Sequence, residues 1–281
     1  MTTAYVNGTF LPLEEARVSA MDRGFLFGDG VYEVIPVYNG KLFRFTHHLQ
    51  RLKKSLQAIR LTVDKSDEQW RELLTELIER NQRGNLSAFI QVTRGASPVR
   101  AHPFPSDVTP TIFAFTTALP DRNIDALAAG TKVITLEDTR WKHCHIKATA
   151  LLPNVLLHQQ AIDAGASEAI LIDQGRVLEG TSSNVFIVHN GKIITPAKGE
   201  KILGGITREL TLELATQHGI PCEERVITEA ELLSANEVWI TSSTREIMPV
   251  TQINNVLINN GKAGPVWQAM IKHYQEYKQS L

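Results

Sequence analysis

EAILIDQGRVLEGTSSNVFIVHNGKIIT, residues 168–195, decides the fold class of this chain. Asp173-Gln174-Gly175 and Asn190-Gly191 are turn sequences, because Asn and Gly tolerate the positive φ that a tight hairpin demands, and short runs rich in Ile, Val, Leu and Phe flank each of them. The stretch predicts successive hairpins in antiparallel sheet. Outward from it, Asn7-Gly8, Asn39-Gly40 and Asn260-Gly261 carry the same signal.

Amphipathic helices lie between these turns. Leu49, Leu52, Leu56 and Ile59 recur at helical spacing from Thr46 to Arg60, with Thr46 as the expected cap. A second helix is expected at about Asp67 to Gln82, with Trp70, Leu73, Leu74, Leu77 and Ile78 on one face. Strands over Ala88 to Thr93 and Thr111 to Thr116 close the first half, and Ala118-Leu119-Pro120-Asp121-Arg122-Asn123 reads as a connector. After it come a strand at Lys132 to Leu136 and a helix from about Thr149 to Ala164. The hairpins of residues 168–195 follow, then a helix from Thr207 to about His218. Strand-like runs around Val226 and from Val238 to Thr241 precede a last helix near Val266 to Tyr277. Strands and helices mix without regular alternation, so the class is α+β rather than a doubly wound parallel sheet. The expected division is residues 1–118, a connector over 119–130, and 131–281.

At 281 residues the chain can bury a full core. Its 29 Lys and Arg nearly balance 30 Asp and Glu, so no long-range field draws it to nucleic acid or an anionic membrane, and a small-molecule partner is the better expectation. Cys144 and Cys222 have neither disulfide-framework nor metal-ligand spacing, and no metal is expected. The opening residues lack basic and apolar leader regions, and no apolar run approaches the ~20 residues of a membrane span, so a cytoplasmic location is expected.

Several short stretches carry groups suited to chemistry. Lys147 follows a β-rich run and precedes the expected helix, whose apolar face would half-bury it, and partial burial favours the neutral nucleophilic amine; its plainer reading is a surface lysine. Glu179 ends a strand of Val and Leu, where a buried carboxylate wants a cationic partner; a surface acid, or one paired with Arg176, is the plainer alternative. Gly204-Gly205-Ile206-Thr207 runs two glycines into a helix, so the free N–H groups of Ile206 and Thr207 can face an anion, with the Thr207 hydroxyl beside them. Thr241-Ser242-Ser243-Thr244 supplies further hydroxyls. Arg100 and His102 sit in a loop stiffened by Pro98, Pro103 and Pro105, and a rigid arginine fork is a natural binder of carboxylate.

Taken together, Phe27-Gly28-Asp29-Gly30-Val31-Tyr32-Glu33, Ser97-Pro98-Val99-Arg100-Ala101-His102, His145-Ile146-Lys147, Glu179-Gly180-Thr181-Ser182-Ser183-Asn184 and Gly204-Gly205-Ile206-Thr207-Arg208 resemble the fold-type IV pyridoxal phosphate aminotransferases, in their D-amino acid branch. The resemblance runs from Tyr5-Val6-Asn7-Gly8 to the last helix. It implies a two-domain α+β fold of mixed, largely antiparallel sheets with flanking helices and the cofactor between the domains. It implies pyridoxal 5'-phosphate held covalently by Lys147, with Glu179 on the ring nitrogen and Arg51, Leu203, Ile206, Thr207 and Ser243 as further cofactor ligands. Tyr32, Arg100 and His102 would form the trap for the substrate α-carboxylate, the last two presented from a neighbouring subunit, which implies a homodimer.

The activity implied is ping-pong transfer of an amino group between a D-amino acid, D-alanine foremost, and a 2-oxo acid such as 2-oxoglutarate. A branched-chain L-amino acid aminotransferase, an aminodeoxychorismate lyase, and a non-catalytic phosphate-metabolite binder are the alternatives. The Arg-x-His loop and the Thr-Ser-Ser-Asn run speak against the first two, and retention of both Lys147 and Glu179 against the third. Two departures stand out: Thr181 replaces the branch's first serine, and Val99 makes the Arg100 loop one residue longer.

Overall fold

A computed structural model describes residues 2–81, 84–120 and 122–281. Gln82, the expected end of the second helix, and Asp121, in the expected connector, lie outside the described residues. The contacts cluster into two units, Met1–Asp121 with Ile146–Leu151, and Arg122–His145 with Leu152–Leu281. The return of Ile146–Leu151 to the first unit is an excursion for which the expected division at 119–130 made no provision.

The first unit contains β1 (Thr3–Val6), β2 (Thr9–Pro12), α1 (Arg23–Phe27), β3 (Gly30–Tyr38), β4 (Lys41–Leu42), α2 (Phe45–Ala58), α3 (Asp67–Asn81), β5 (Leu86–Thr93) and β6 (Thr111–Ala118). Its strands form an antiparallel sheet in the order β2-β1-β6-β5-β3-β4. One sheet face, carrying Val31, Ile35, Ala88, Ile90 and Val92, packs against Leu49, Leu52 and Leu56 of α2 and Trp70, Leu74 and Leu77 of α3. Strand alternation turns Tyr32, Phe89 and Phe113 to the opposite face, where the Tyr32 and Phe89 rings stack with centroids 5.7 Å apart.

The second unit contains α4 (Ile124–Ala128), β7 (Thr131–Glu137), α5 (Leu152–Asp163), β8 (Glu168–Asp173), β9 (Arg176–Gly180), β10 (Asn184–His189), β11 (Lys192–Thr195), α6 (Ile206–Gln217), β12 (Cys222–Glu224), α7 (Glu229–Ser234), β13 (Glu237–Ser242), β14 (Glu246–Ile253), β15 (Val256–Leu257) and α8 (Pro265–Gln279). The sheet order is β12-β11-β10-β13-β14-β7-β8-β9, with β15 on β14. The pairs β11/β12, β7/β14 and β7/β8 are parallel and the others antiparallel, so the sheet is mixed. The Glu237 carboxylate accepts from the Val266 and Trp267 amides (2.9 Å each), which caps α8 and fixes it to β13. No helix among the described residues is long and apolar enough to cross a membrane.

Four of the five expected turns close hairpins, those at Asn7-Gly8, Asn39-Gly40, Gln174-Gly175 and Asn190-Gly191. Asn260-Gly261 instead lies in a 3-10 turn, and the hairpin nearby turns at Asn254-Asn255 between β14 and β15. Thr46 is not the cap of α2: the helix begins at Phe45, which is buried in the same core as Leu49, and Arg44 is the N-cap residue. The helix expected from Thr149 begins at Leu152, because Ala148 bridges Val31 and Thr149 donates its N–H to Gly30 O. The strand expected near Val226 is Cys222–Glu224, and Val226 itself is exposed.

Candidate active site

In the first unit, Lys147 belongs to an extended segment laid along β3. The Tyr32 N–H donates to Lys147 O (3.0 Å), and the Lys147 N–H donates to Ser55 Oγ of α2 (3.2 Å). One glycine permits this close packing: Gly28 ends α1 with φ 67°, where a Cβ would come within 3.0 Å of Ala150, whereas the lack of a Cβ on Gly30 lets β3 lie against Val92 O of β5. The segment's strand-like pairing, rather than the start of a helix, half-buries Lys147. Its Nζ lies 4.1 Å from the centroid of the Tyr32 ring.

Glu33, next to Tyr32, points to the helical side of the sheet and is fully buried. Arg51 grips it with two hydrogen bonds, Nε to Oε1 (2.7 Å) and Nη2 to Oε2 (2.8 Å), and His48 Nδ1 lies 2.8 Å from Oε2. Burial works against its ionisation, but Arg51 and His48 outweigh it and hold the carboxyl well below the usual range. Burial pushes the His48 imidazole down despite Glu33, so a neutral ring donates from Nδ1. His48 Nε2 is buried and has no hydrogen-bond partner among the described residues. Sequence reasoning passed over Glu33 and His48. The readable signal was the i,i+3 spacing of His48 and Arg51 on a helix facing the strand that carries Glu33.

Arg100 and His102 lie in the loop between β5 and β6 with exposed side chains, the Arg100 guanidinium 5.0 Å and the His102 ring 5.5 Å from the centroid of the Phe27 ring. The additional residue Val99 is exposed and absorbed locally: its carbonyl accepts from Ser97 Oγ (3.0 Å) and from the Ala101 N–H (3.1 Å).

In the second unit, Glu179 is the penultimate residue of β9 and its carboxylate is buried. Its cationic partner is Arg140, Nη1 to Oε1 at 2.7 Å, and not Arg176, which is exposed. Asp138 holds Arg140 in turn through Nε (2.9 Å) and Nη2 (3.0 Å). The Leu203 N–H (3.0 Å) and Asn184 Nδ2 (3.1 Å) complete the shell on Oε2. Burial nevertheless pushes the Glu179 carboxyl up to about 7, against the pull of Arg140 and the Leu203 amide.

Asn184 Nδ2 also donates to Leu203 O (2.8 Å), and any Cβ on Gly205 would collide with Asn184 Oδ1. The glycine pair therefore permits a close approach as well as a turn. Gly205 is the N-cap of α6 and offers no side-chain cap, so the first-turn amides of Ile206 and Thr207 are not covered in that way.

Glu168, also missed in the sequence, is a buried carboxylate that joins the two hydroxyl runs. It accepts from the Thr181 hydroxyl, Ser182 Oγ (2.8 Å), Ser183 Oγ (3.3 Å) and Arg245 Nη1 (2.7 Å). Arg245 N–H donates to Ser242 Oγ (3.2 Å), so the turn carrying Ser243 is tied to the same carboxylate. Thr241 Oγ1 is buried without a hydrogen-bond partner among the described residues.

The family model described as Amino-transferase class IV matches residues 30–253. The chain belongs to the class IV aminotransferases. This aminotransferase is 42% identical over 262 residues to the D-alanine aminotransferase of Bacillus licheniformis, covering 92% of this chain and 91% of that protein. It is 40% identical over 281 residues to the D-alanine aminotransferase of Staphylococcus epidermidis, covering 100% and 99%. Among solved structures, a T.th. branched-chain amino acid aminotransferase with pyridoxamine 5'-phosphate superposes with a TM-score of 0.89 at 27% identity, covering 98% of this chain and 93% of that one.

The raised carboxyl of Glu179 has a measurable consequence for this class IV aminotransferase when no cofactor is bound. It moves from 4.5 to about 7 in the folded state, so folding retains a proton there that the unfolded chain releases. Stability from this group is complete below about 4.5 and is lost as pH rises through about 7. Relative to Glu179→Gln, the parent should lose ~1–3 kcal/mol across that window in denaturant unfolding. A difference that stays constant with pH contradicts the raised ionisation.

Proposed function

We propose that this chain is a D-amino acid aminotransferase that uses pyridoxal 5'-phosphate, taking the amino group from D-alanine and giving it to 2-oxoglutarate in two half-reactions. One observation carries the reading: relatives at about 40% identity over nearly the whole length are D-alanine aminotransferases, whereas the branched-chain neighbour stands at 27%.

The residues fit the cofactor. Glu179 is a buried carboxylate that keeps its proton up to about 7 beside Arg140, as expected where a further cation, the protonated ring nitrogen, is to be received. When bound, pyridoxal phosphate supplies the carbonyl that takes the amino group and the ring that draws electrons from the substrate Cα. Lys147 Nζ makes no ion pair among the described residues, and we assign it the covalent attachment and the transfer of the Cα proton.

Glu179 holds a proton at the ring nitrogen. The Ile206 and Thr207 amides, the Ser243 hydroxyl and Arg51 bind the phosphate, with the Arg51 guanidinium fixed in place by Glu33. Leu203 contributes through its backbone, which orients Glu179. Tyr32 receives the substrate carboxylate together with Arg100 and His102 of a second copy, so the working unit is a homodimer.

Assay of a panel of D- and L-amino acids with 2-oxoglutarate tests the reading. Pyruvate and D-glutamate should form from D-alanine. Preferential turnover of branched-chain L-amino acids overturns it, as does elimination from aminodeoxychorismate without transfer of nitrogen to the keto acid.

A further inference from the structure

The loop that presents Arg100 and His102 has its backbone tied to a buried arginine. Arg23, in the short helix α1, is 4% exposed. Its Nη1 donates to Ala101 O (2.6 Å) and, at the limit of bonding distance, to Pro103 O (3.5 Å), and Nη2 donates to His102 O (3.1 Å). Three successive carbonyls are thus drawn toward one planar cation, while the Arg100 and His102 side chains stay exposed. A guanidinium suits this task because its donors are fixed in one plane, whereas an ammonium concentrates its charge at a single atom.

Arg23 is itself held. Its Nε donates to Asp29 Oδ2 (2.8 Å), and Arg94 grips the same carboxylate through Nε to Oδ2 (2.8 Å) and Nη2 to Oδ1 (3.0 Å). Burial opposes ionisation of Asp29, but the hydrogen bonds of Arg94 and Arg23 keep its carboxyl below the usual range. Arg94 also donates to Ile59 O (2.7 Å) and Arg60 O (3.3 Å), which anchors it to the end of α2. The Phe104 ring lies 3.7 Å from Arg94 Cζ, so the loop is held a second time just past Pro103. Asp29 lies in the Gly28-Asp29-Gly30 run that also lets Lys147 pack against β3.

We propose that Arg23, locked by Asp29 and Arg94, is the positioning residue that sets the pose of the carboxylate-binding loop and acts through Arg100 and His102. The proposal rests on the reading that those two residues receive the substrate carboxylate. Arg23 does not touch substrate; it removes the freedom the loop backbone would otherwise have, so that the Arg100 fork is already aimed when substrate arrives.

Steady-state kinetics of the cofactor-loaded enzyme tests this. Arg23→Met should raise KM for both D-alanine and 2-oxoglutarate by ~10- to 30-fold while kcat stays within about threefold. Cofactor absorbance should be unchanged, and Arg23→Lys should recover only part of the loss. In an Arg100→Ala background the same Arg23→Met change should alter KM less than about threefold, because its effect passes through Arg100.

Full additivity of the two changes overturns the proposal, as does an Arg23→Met enzyme with unchanged KM while Arg100→Ala is impaired. Unchanged KM in Arg100→Ala alone instead removes the carboxylate-trap reading, which keeps the two failures distinct. Should Arg23→Met not fold, Phe104→Ala decides the matter, since that ring is 49% exposed and its removal leaves the buried network intact. A ~3- to 5-fold rise in KM, with faster amide exchange confined to residues 99–104, supports the proposal. Unchanged KM and exchange overturn it.

Discussion

Lys147→Ala should lower transamination on the order of 10⁴-fold or more, because the role proposed for Lys147 has one amine both attach the cofactor and move the Cα proton. The fold should survive the change. The segment is held by its backbone, through Tyr32 N–H to Lys147 O and Lys147 N–H to Ser55 Oγ, and both bonds persist in alanine. The lost side chain makes no ion pair among the described residues. Loss of activity with little change in thermal unfolding therefore separates chemistry from structure. In the parent, borohydride should bleach a yellow protein and leave the cofactor on the peptide containing Lys147, and in the variant no peptide should carry it. Small added amines should restore part of the proton transfer in Lys147→Ala. An adduct on another lysine, or a variant that turns over normally, removes Lys147 from the role.

The hairpins were legible because the type of turn is a local property. Asn-Gly accepts positive φ at little cost, and three such dipeptides, with Gln174-Gly175 as a fourth turn, lie between strands that pair directly across them. Asn260-Gly261 has the same dihedral preference, but Ile258 is buried and the chain there turns toward α8, so the positive φ serves a 3-10 turn. The core faces of α2 and α3 were readable from spacing alone, and each of the apolar positions expected there is buried or packed against the core. Strand β14 escaped notice because Glu246 opens it and Pro249 interrupts it, features that read as non-strand in isolation. Its partners β13 and β7 lie on either side in space, and Gln275 and Lys278 of α8 hold the Glu246 carboxylate.

The site divides along the same line. Lys147, Glu179 and Arg100 could be put forward as candidates from the sequence, where the resemblance of their motifs to the family set them apart from other lysines, acids and arginines. Their supports could not, because each is distant in sequence: Arg140 precedes Glu179 by 39 positions, and Arg23 precedes Ala101 by 78. Glu168 illustrates the point. Nothing near it in sequence marks it as special, yet it accepts from Thr181, Ser182, Ser183 and Arg245 and so fixes two hydroxyl runs at once. A buried carboxylate is costly unless several donors converge on it, and convergence is a tertiary property.

Handedness is where the second large effect is expected. For an amino acid held by the cofactor, the Cα–H bond must point at the Lys147 amine, so the side on which the carboxylate is gripped decides which enantiomer reacts. On the proposed grip by Tyr32 with Arg100 and His102 of a second copy, on the side that admits D-amino acids, Arg100→Ala should raise KM sharply for D-alanine and 2-oxoglutarate alike. The loss of a charge-assisted fork should cost on the order of 2 to 4 kcal/mol in kcat/KM, or about 30- to 1,000-fold. Arg100→Lys should recover only part of this, since an ammonium cannot make the two parallel bonds of a guanidinium. The added residue Val99 does not weaken the expectation, because Ser97 and Ala101 close a turn around its carbonyl and leave the Arg100 side chain exposed. Cofactor absorbance should stay as in the parent, because Arg100 is not among the proposed cofactor ligands. Parent enzyme that prefers L-substrates, or undiminished D-alanine turnover in Arg100→Ala, would place the carboxylate grip elsewhere and bring the branched-chain reading forward.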